Sequence, residues 1–210
     1  MLFDHKDFLV QKFDDSIFKQ YDWGTAIQTT LSRIFIIYSY SRSGFFVDLK
    51  NNHFFKIKSS NPDVMNSTIF HDQNDKYIYA IGGHSCKNEQ PAASCAKLDI
   101  NTFRWIKMPN LKIPRIAAQV LKIGDFLYAI QGFSQKTALD NIEVLDLKNE
   151  NQGWQNLDQQ IKFPMKKTSN THRIQGIFQI PGKNQKYFVL TSNITNYDPK
   201  LPFSELTISL

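Results

Sequence analysis

Apolar residues in this chain fall in short runs or alternate with polar ones, and they do not recur at helical spacing over any useful length. Arg33-Ile34-Phe35-Ile36-Ile37-Tyr38, Lys76-Tyr77-Ile78-Tyr79-Ala80-Ile81, Asp125-Phe126-Leu127-Tyr128-Ala129-Ile130 and Lys186-Tyr187-Phe188-Val189-Leu190 are the clearest runs, and each is bounded by turn-forming residues. Strands are expected there, and no helix. Around the third run the pattern predicts four strands, at about 116–123, 126–131, 141–146 and 154–157. Gly124-Asp125 suits a tight hairpin between the first two.

The runs repeat at a fixed interval. Tyr79 and Tyr128 are 49 residues apart, as are Gly83 and Gly132, and Trp105 and Trp154. Self-similarity at a period near 50 residues is the mark of a propeller built from four-stranded blades. Asp99 precedes Trp105 by six residues and Asp146 precedes Trp154 by eight, the extra residues falling in 149–153. An insertion that spares its apolar flanks belongs in a turn. An Asp at the head of that turn can accept a hydrogen bond from the N–H two residues on. Phe46-Val47-Asp48-Leu49 followed by Phe54 is a weaker copy, with Ser39-Tyr40 where the glycines belong. The expected organisation is a single domain, 1–210, with a partial blade at 1–22, blades at 23–60, 61–110 and 111–163, and a second partial blade at 164–210. The two partial blades either close a four-bladed ring or belong to a larger propeller.

The order Tyr79-Ala80-Ile81-Gly82-Gly83, then Asp99, then Trp105 resembles the kelch-repeat family. Pro114-Arg115, thirteen residues before Tyr128, resembles the arginine that often opens a kelch blade. The resemblance is strong over about 65–160 and implies an all-β, kelch-type β-propeller. It gives structural roles to Tyr79, Gly82, Gly83, Asp99, Trp105, Arg115, Tyr128, Gly132, Asp146 and Trp154. The glycines let a strand end turn sharply beside its neighbours, and the aromatic residues supply contact between adjacent blades. Kelch proteins as a class imply a non-catalytic protein–protein interaction module, either a scaffold or accessory subunit or a substrate-recruiting adaptor of a ubiquitin ligase. The kelch-type copper oxidase of galactose marks the rival class, a metal-dependent enzyme using the central channel.

Composition changes this picture little. The 210 residues are 41% hydrophobic and 21% charged, a globular balance. The net charge of +6 is dispersed, and its densest cluster is Lys166-Lys167, so no nucleic-acid footprint emerges. The opening residues carry charges where a signal peptide needs an unbroken apolar core, and the most apolar run is too short to span a bilayer. A cytoplasmic protein is expected, free or held in a cytoskeletal or organellar assembly, with no membrane insertion. His84, Cys86 and Cys95 cluster in one segment, but structural zinc takes four ligands and no CxxC spacing exists. His5, His53, His71, His84 and His172 share no short motif, and no catalytic fingerprint appears. No cofactor or metal is expected, and Glu143 and Asp146 read as solvated strand or turn charges. Strand alternation places the segments between blades, and those joining second to third strands, on one face. On that face Tyr40, Arg42, His84, Lys87, Phe133, Lys136, Lys166, Lys167 and Arg173 are the candidate binding residues for a protein partner.

Overall fold

The architecture of the chain is taken from a computed structural model, which describes residues 24–30, 32–38, 43–51, 53–58, 64–72, 75–135, 137–157, 172–179, 186–193 and 204–207. The expected partial blade at 1–22 lies outside them. The first blade is β1 (Gly24–Thr30), β2 (Arg33–Tyr38), β3 (Ser43–Asp48) and β4 (His53–Lys58), hydrogen-bonded in that order. A short β5 (Val64–Met65) leads into the second blade, made of β6 (Thr68–His71) and β7 (Tyr77–Ile81), then, after a short β8 (His84–Ser85), β9 (Cys95–Asp99) and β10 (Arg104–Met108). The third blade has β11 (Gln119–Ile123), β12 (Phe126–Ile130), β15 (Ile142–Asp146) and β16 (Gln155–Leu157). A small ribbon of β13 (Phe133–Ser134) and β14 (Thr137–Ala138) stands beside it. A three-stranded sheet of β17 (His172–Gln179), β18 (Lys186–Asn193) and β19 (Ser204–Thr207) follows. All pairings are antiparallel.

β1 packs beside β6, β6 beside β11, and β11 beside β17. The first strand of each blade is therefore innermost, and the fourth is outermost. The middle strands are buried on both faces, which explains why they read as nearly continuous apolar runs. Alternation divides each run between two neighbours. Ile78 and Leu98 join Phe35, Phe46 and Ile57 of the first blade, while Tyr79, Ile81, Cys95 and Met108 join Leu127, Ala129, Leu145 and Trp154 of the third. The first of these interfaces is rich in rings. Phe46 meets Phe103 edge-on at 5.1 Å, and Phe55 meets Phe103 at 4.4 Å.

Each landmark tryptophan ties its blade to the one before. The Trp105 indole N–H donates to Lys58 O at 2.8 Å, and the Trp154 indole N–H donates to Pro109 O at 3.0 Å. The two are not equivalent in burial: Trp154 is 1% exposed, whereas Trp105 is only half-buried. Inner strands are stitched as well. Thr68 Oγ1 donates to Ala118 O at 3.0 Å, and the His71 ring lies between Tyr77 O at 2.9 Å and Thr29 O at 3.2 Å.

The turn aspartates act as hydrogen-bond acceptors. Asp99 Oδ1 takes the N–H groups of Asn101 and Thr102 at 2.8 and 3.1 Å, and these bonds hold the carboxyl below its ordinary pKa. Asp146 Oδ1 takes Lys148 N at 2.8 Å and Asp48 Oδ1 takes Lys50 N at 3.0 Å. The insertion after Asp146 forms a 3-10 turn over Glu150–Gln152, closed by Gly153 at φ +69°. The strand expected from Ile116 begins instead at Gln119. Ala117 sits at φ +52°, which breaks the extended run, and Ile116 bridges to Phe133.

Candidate interaction surfaces

The double glycine organises one face of the molecule. Gly82 and Gly83 lie at φ +61° and +117°. A Cβ on Gly82 would stand 2.3 Å from Arg115 O, and one on Gly83 would stand 2.4 Å from Met65 O. The strand end is thus pressed between the lead-in segments of its own blade and of the next. Gly83 N–H donates to Arg115 O at 2.9 Å in the same place. In the third blade Gln131 keeps the left-handed backbone at φ +53°, and Gly132, at φ +99°, makes the close approach to Ile116 O.

These approaches order segments expected to be plain loops. β5 pairs with β8, and Ile116 exchanges backbone hydrogen bonds with Phe133 at 2.9 Å each way. Lead-in segments and second-to-third-strand segments therefore share a face. The opposite face carries tight hairpins, among them Gly124-Asp125, 100–103 and the turn after Asp146, where the Lys148 Nζ–Asp125 pair spans 2.6 Å.

Among the candidate binding residues, His84, Lys87 and Phe133 lie on the ribbon face. His84 is half-buried on β8, opposite Met65, and its Nδ1 is buried with no hydrogen-bond partner. Lys87 is exposed in the turn after β8, and Phe133 is half-buried on β13. Tyr40, Arg42, Lys136, Lys166 and Lys167 lie outside the described residues. Arg173 lies not in a loop but within β17, opposite Ser192. Cys86 and Cys95 are not bonded to each other. Cys95 sits in the core between the second and third blades, where burial pushes its thiol up to about 12. Among the described residues no three His, Cys, Asp or Glu side chains stand where they could hold a metal ion.

Glu143 corrects the reading from sequence. It is 0% exposed rather than a solvated strand charge, and it pairs with Arg115, also 0% exposed. Glu143 shares the parity of Leu145 on β15, so it points into the seam with the second blade, where an unpaired charge is intolerable. Arg115 Nη1 donates to Gln131 O at 2.9 Å and Nη2 to Asn141 Oδ1 at 3.3 Å. The Glu143 carboxylate also accepts from Lys112 N at 2.6 Å and Ile113 N at 3.0 Å. Burial lowers the guanidinium's pKa, and the adjacent carboxylate opposes that shift. One ion pair thus fixes the lead-in to the third blade.

A second network went unread in the sequence. Asp75 Oδ2 accepts from the Tyr79 hydroxyl at 2.7 Å and faces Lys122 Nζ, of the third blade, at 2.8 Å. Burial works to raise the Asp75 pKa, but these bonds and the Tyr77 N–H outweigh it and hold the carboxyl below its ordinary value. Burial, reinforced by Asp75, pushes the Tyr79 phenol far above its usual pKa. Lys97, which pairs with Glu150, stands 4.9 Å over the Tyr77 ring.

Four-stranded antiparallel blades, double glycines at a strand end, a turn-capping Asp and a seam tryptophan now stand together. This set of features is similar to kelch repeats. The curated relatives agree. The chain is 30% identical over 70 residues to Kelch-like protein 22 of Xenopus tropicalis, covering 33% of this chain and 11% of that protein. It is 33% identical over 76 residues to an F-box/kelch-repeat protein of Arabidopsis thaliana, covering 36% and 20%. It is 28% identical over 125 residues to a putative F-box/kelch-repeat protein of the same plant, covering 58% and 29%. The chain therefore spans under a third of the length of each of these relatives. No family model matches it. Among the described residues, no helix is long and apolar enough to cross a membrane.

Proposed function

We propose that this kelch chain is a non-catalytic protein-interaction module, acting as a scaffold or accessory subunit of a larger assembly. The observation that carries this reading is the ribbon face. Rigid blades hold β5, β8, β13 and β14 on one side, while among the described residues the far side carries short, tightly capped hairpins. Adaptable segments on a rigid scaffold are where repeat proteins bind. The partner docks on the ribbon face, around His84, Lys87 and Phe133. An adaptor that recruits substrates to a ubiquitin ligase is the second reading, favoured because two of the relatives are F-box/kelch-repeat proteins.

Quantitative pull-down from lysate of the source cells tests this, comparing wild type with Lys87→Glu/Thr137→Glu on the ribbon face and Asn101→Lys/Thr102→Lys on the far face. All four positions are exposed. The ribbon-face variant loses its partner at an unchanged melting temperature, and the far-face variant keeps it. The reverse pattern refutes the assignment of the face. Capture of ubiquitin-ligase subunits with the partner selects the adaptor reading.

A further inference from the structure

His71 is held in a setting that asks for two protons. It ends β6, half-buried, and pairs in register with Ile78, which packs on the first blade. Its Nδ1 lies 2.9 Å from Tyr77 O, within its own hairpin. Its Nε2 lies 3.2 Å from Thr29 O, across the seam. A carbonyl oxygen only accepts, so each ring nitrogen must donate to make its bond. A neutral imidazole has one N–H and makes one of the two, whereas the imidazolium has two and makes both. Thr29 is buried, so water does not freely replace the ring on that side.

We infer that His71 is a proton-operated clasp between the first and second blades, closed when the ring is charged and loosened when it is neutral. In the neutral ring the remaining proton stays on the shorter bond, to Tyr77 O, and Nε2 turns a lone pair on Thr29 O. The bond lost is therefore the one that crosses the seam. The contacts beside it do not change charge: Ile27, Phe35 and Phe46 pack with Ile78 and Leu98, and the Trp105 indole donates to Lys58 O. β1 carries no titratable side chain. On the side of the first blade that faces the ring, Arg33 pairs with Asp48 at 3.7 Å, and His53 stands opposite Asp48 on β4. On the second blade, Asp72 and Asp75 turn towards Lys122 of β11, at 3.5 and 2.8 Å, and Lys76 stands 3.9 Å from Asp99. Each of these cations already has a carboxylate, which leaves the ring's charge to its two carbonyls. Folding favours the form that makes the extra bond. The stabilisation is thus whole below the range in which histidine ordinarily titrates, and it is lost as the pH rises through that range. The inference concerns cohesion of the blades, not the ribbon face, so it and the interaction reading fail separately.

The test is urea denaturation of the whole chain at pH 5.5 and pH 8, for wild type, His71→Gln and His53→Gln. Glutamine offers a single donor nitrogen that does not titrate. Asp75, held below its ordinary pKa, keeps its charge throughout this window, so its bridge to Lys122 does not confuse the result. His71→Gln raises the unfolding constant over wild type by a factor about fivefold larger at pH 5.5 than at pH 8, the effect of one bond from a charged donor. His53→Gln keeps the wild-type dependence. An equal factor at the two pH values, or a larger one at pH 8, overturns the inference. Loss of the dependence in His53→Gln overturns it in favour of that ring. Should His71→Gln fail to fold, amide hydrogen exchange on wild type replaces the comparison. Corrected for the intrinsic effect of pH, protection of β1 then falls about fivefold relative to β12 between pH 5.5 and pH 8. A parallel change in the two strands overturns the inference.

Discussion

The Arg115–Glu143 pair offers the sharpest test of how the second and third blades are joined. Both side chains are fully buried, and each satisfies more than the other. Glu143→Leu leaves a guanidinium without counter-charge and orphans the N–H groups of Lys112 and Ile113. Breaking a buried pair from one side costs about 3–5 kcal/mol, and each orphaned buried donor adds about 1–3 kcal/mol. Ile113 is half-buried and Lys112 exposed, so water recovers part of the second term. Arg115→Met leaves a carboxylate that still accepts two backbone N–H bonds, so its cost sits at the lower end, near 3 kcal/mol. In a chain of this length 3–5 kcal/mol lowers the melting temperature by about 6–20 °C. The double variant Arg115→Met/Glu143→Leu buries no charge, and it recovers about 3 kcal/mol of the summed loss as coupling between touching residues. Urea denaturation of all four proteins measures the cycle. Additive losses, or a Glu143→Leu cost below about 1 kcal/mol, would refute the account of Arg115 and Glu143 as one buried unit.

Three further outcomes follow from the same geometry. Trp154→Ala costs about 3–5 kcal/mol, as a fully buried aromatic should, and Trp105→Ala about half as much; equal losses by urea denaturation would show that the two seams are alike. Gly82→Ala and Gly124→Ala both place a Cβ at left-handed φ, +61° and +56°, but only the first meets an atom within 4 Å. Gly124→Ala therefore costs about 1–2 kcal/mol of backbone strain alone, whereas Gly82→Ala, driven against a carbonyl, costs several times more or fails to fold. Asp75 has a depressed pKa in the folded state, so its contribution is fully present above its ordinary value and fades as the pH falls towards the lower folded one. Thermal melts between pH 6 and pH 3 show a drop that Asp75→Asn reduces, and an unchanged drop in that variant would rule out the Asp75–Lys122 bridge as a source.

What the sequence makes legible here is whatever the fold repeats. The 49-residue interval brings out the strands, the glycine pinch, the Asp-headed turn and the seam tryptophans because every blade must solve the same packing problem. Residues solving a problem posed once leave no periodic trace. In the preceding blade the places of Arg115 and Glu143 are taken by Val64 and Ala96, and the position 49 after Asp75 is Gly124. These networks bind partners 28 and 47 residues apart across a seam whose register no single strand encodes. Composition conceals them too, since an acid between apolar residues reads as the wet side of a strand. Parity was the missed signal: Glu143 alternates in phase with Leu145, and Leu145 matches Leu98 of the preceding blade, two residues of one repeat position that each face the blade before their own. An acid on the packed side of a strand must find a cation or lose its charge. Arg115 opens the same blade, and it alone among the chain's arginines follows a proline. The short ribbons escaped notice for a different reason. Two-residue strands have no period to detect, and their pairing depends on glycines that act across the chain, at Met65 and Ile116, rather than on their own residues.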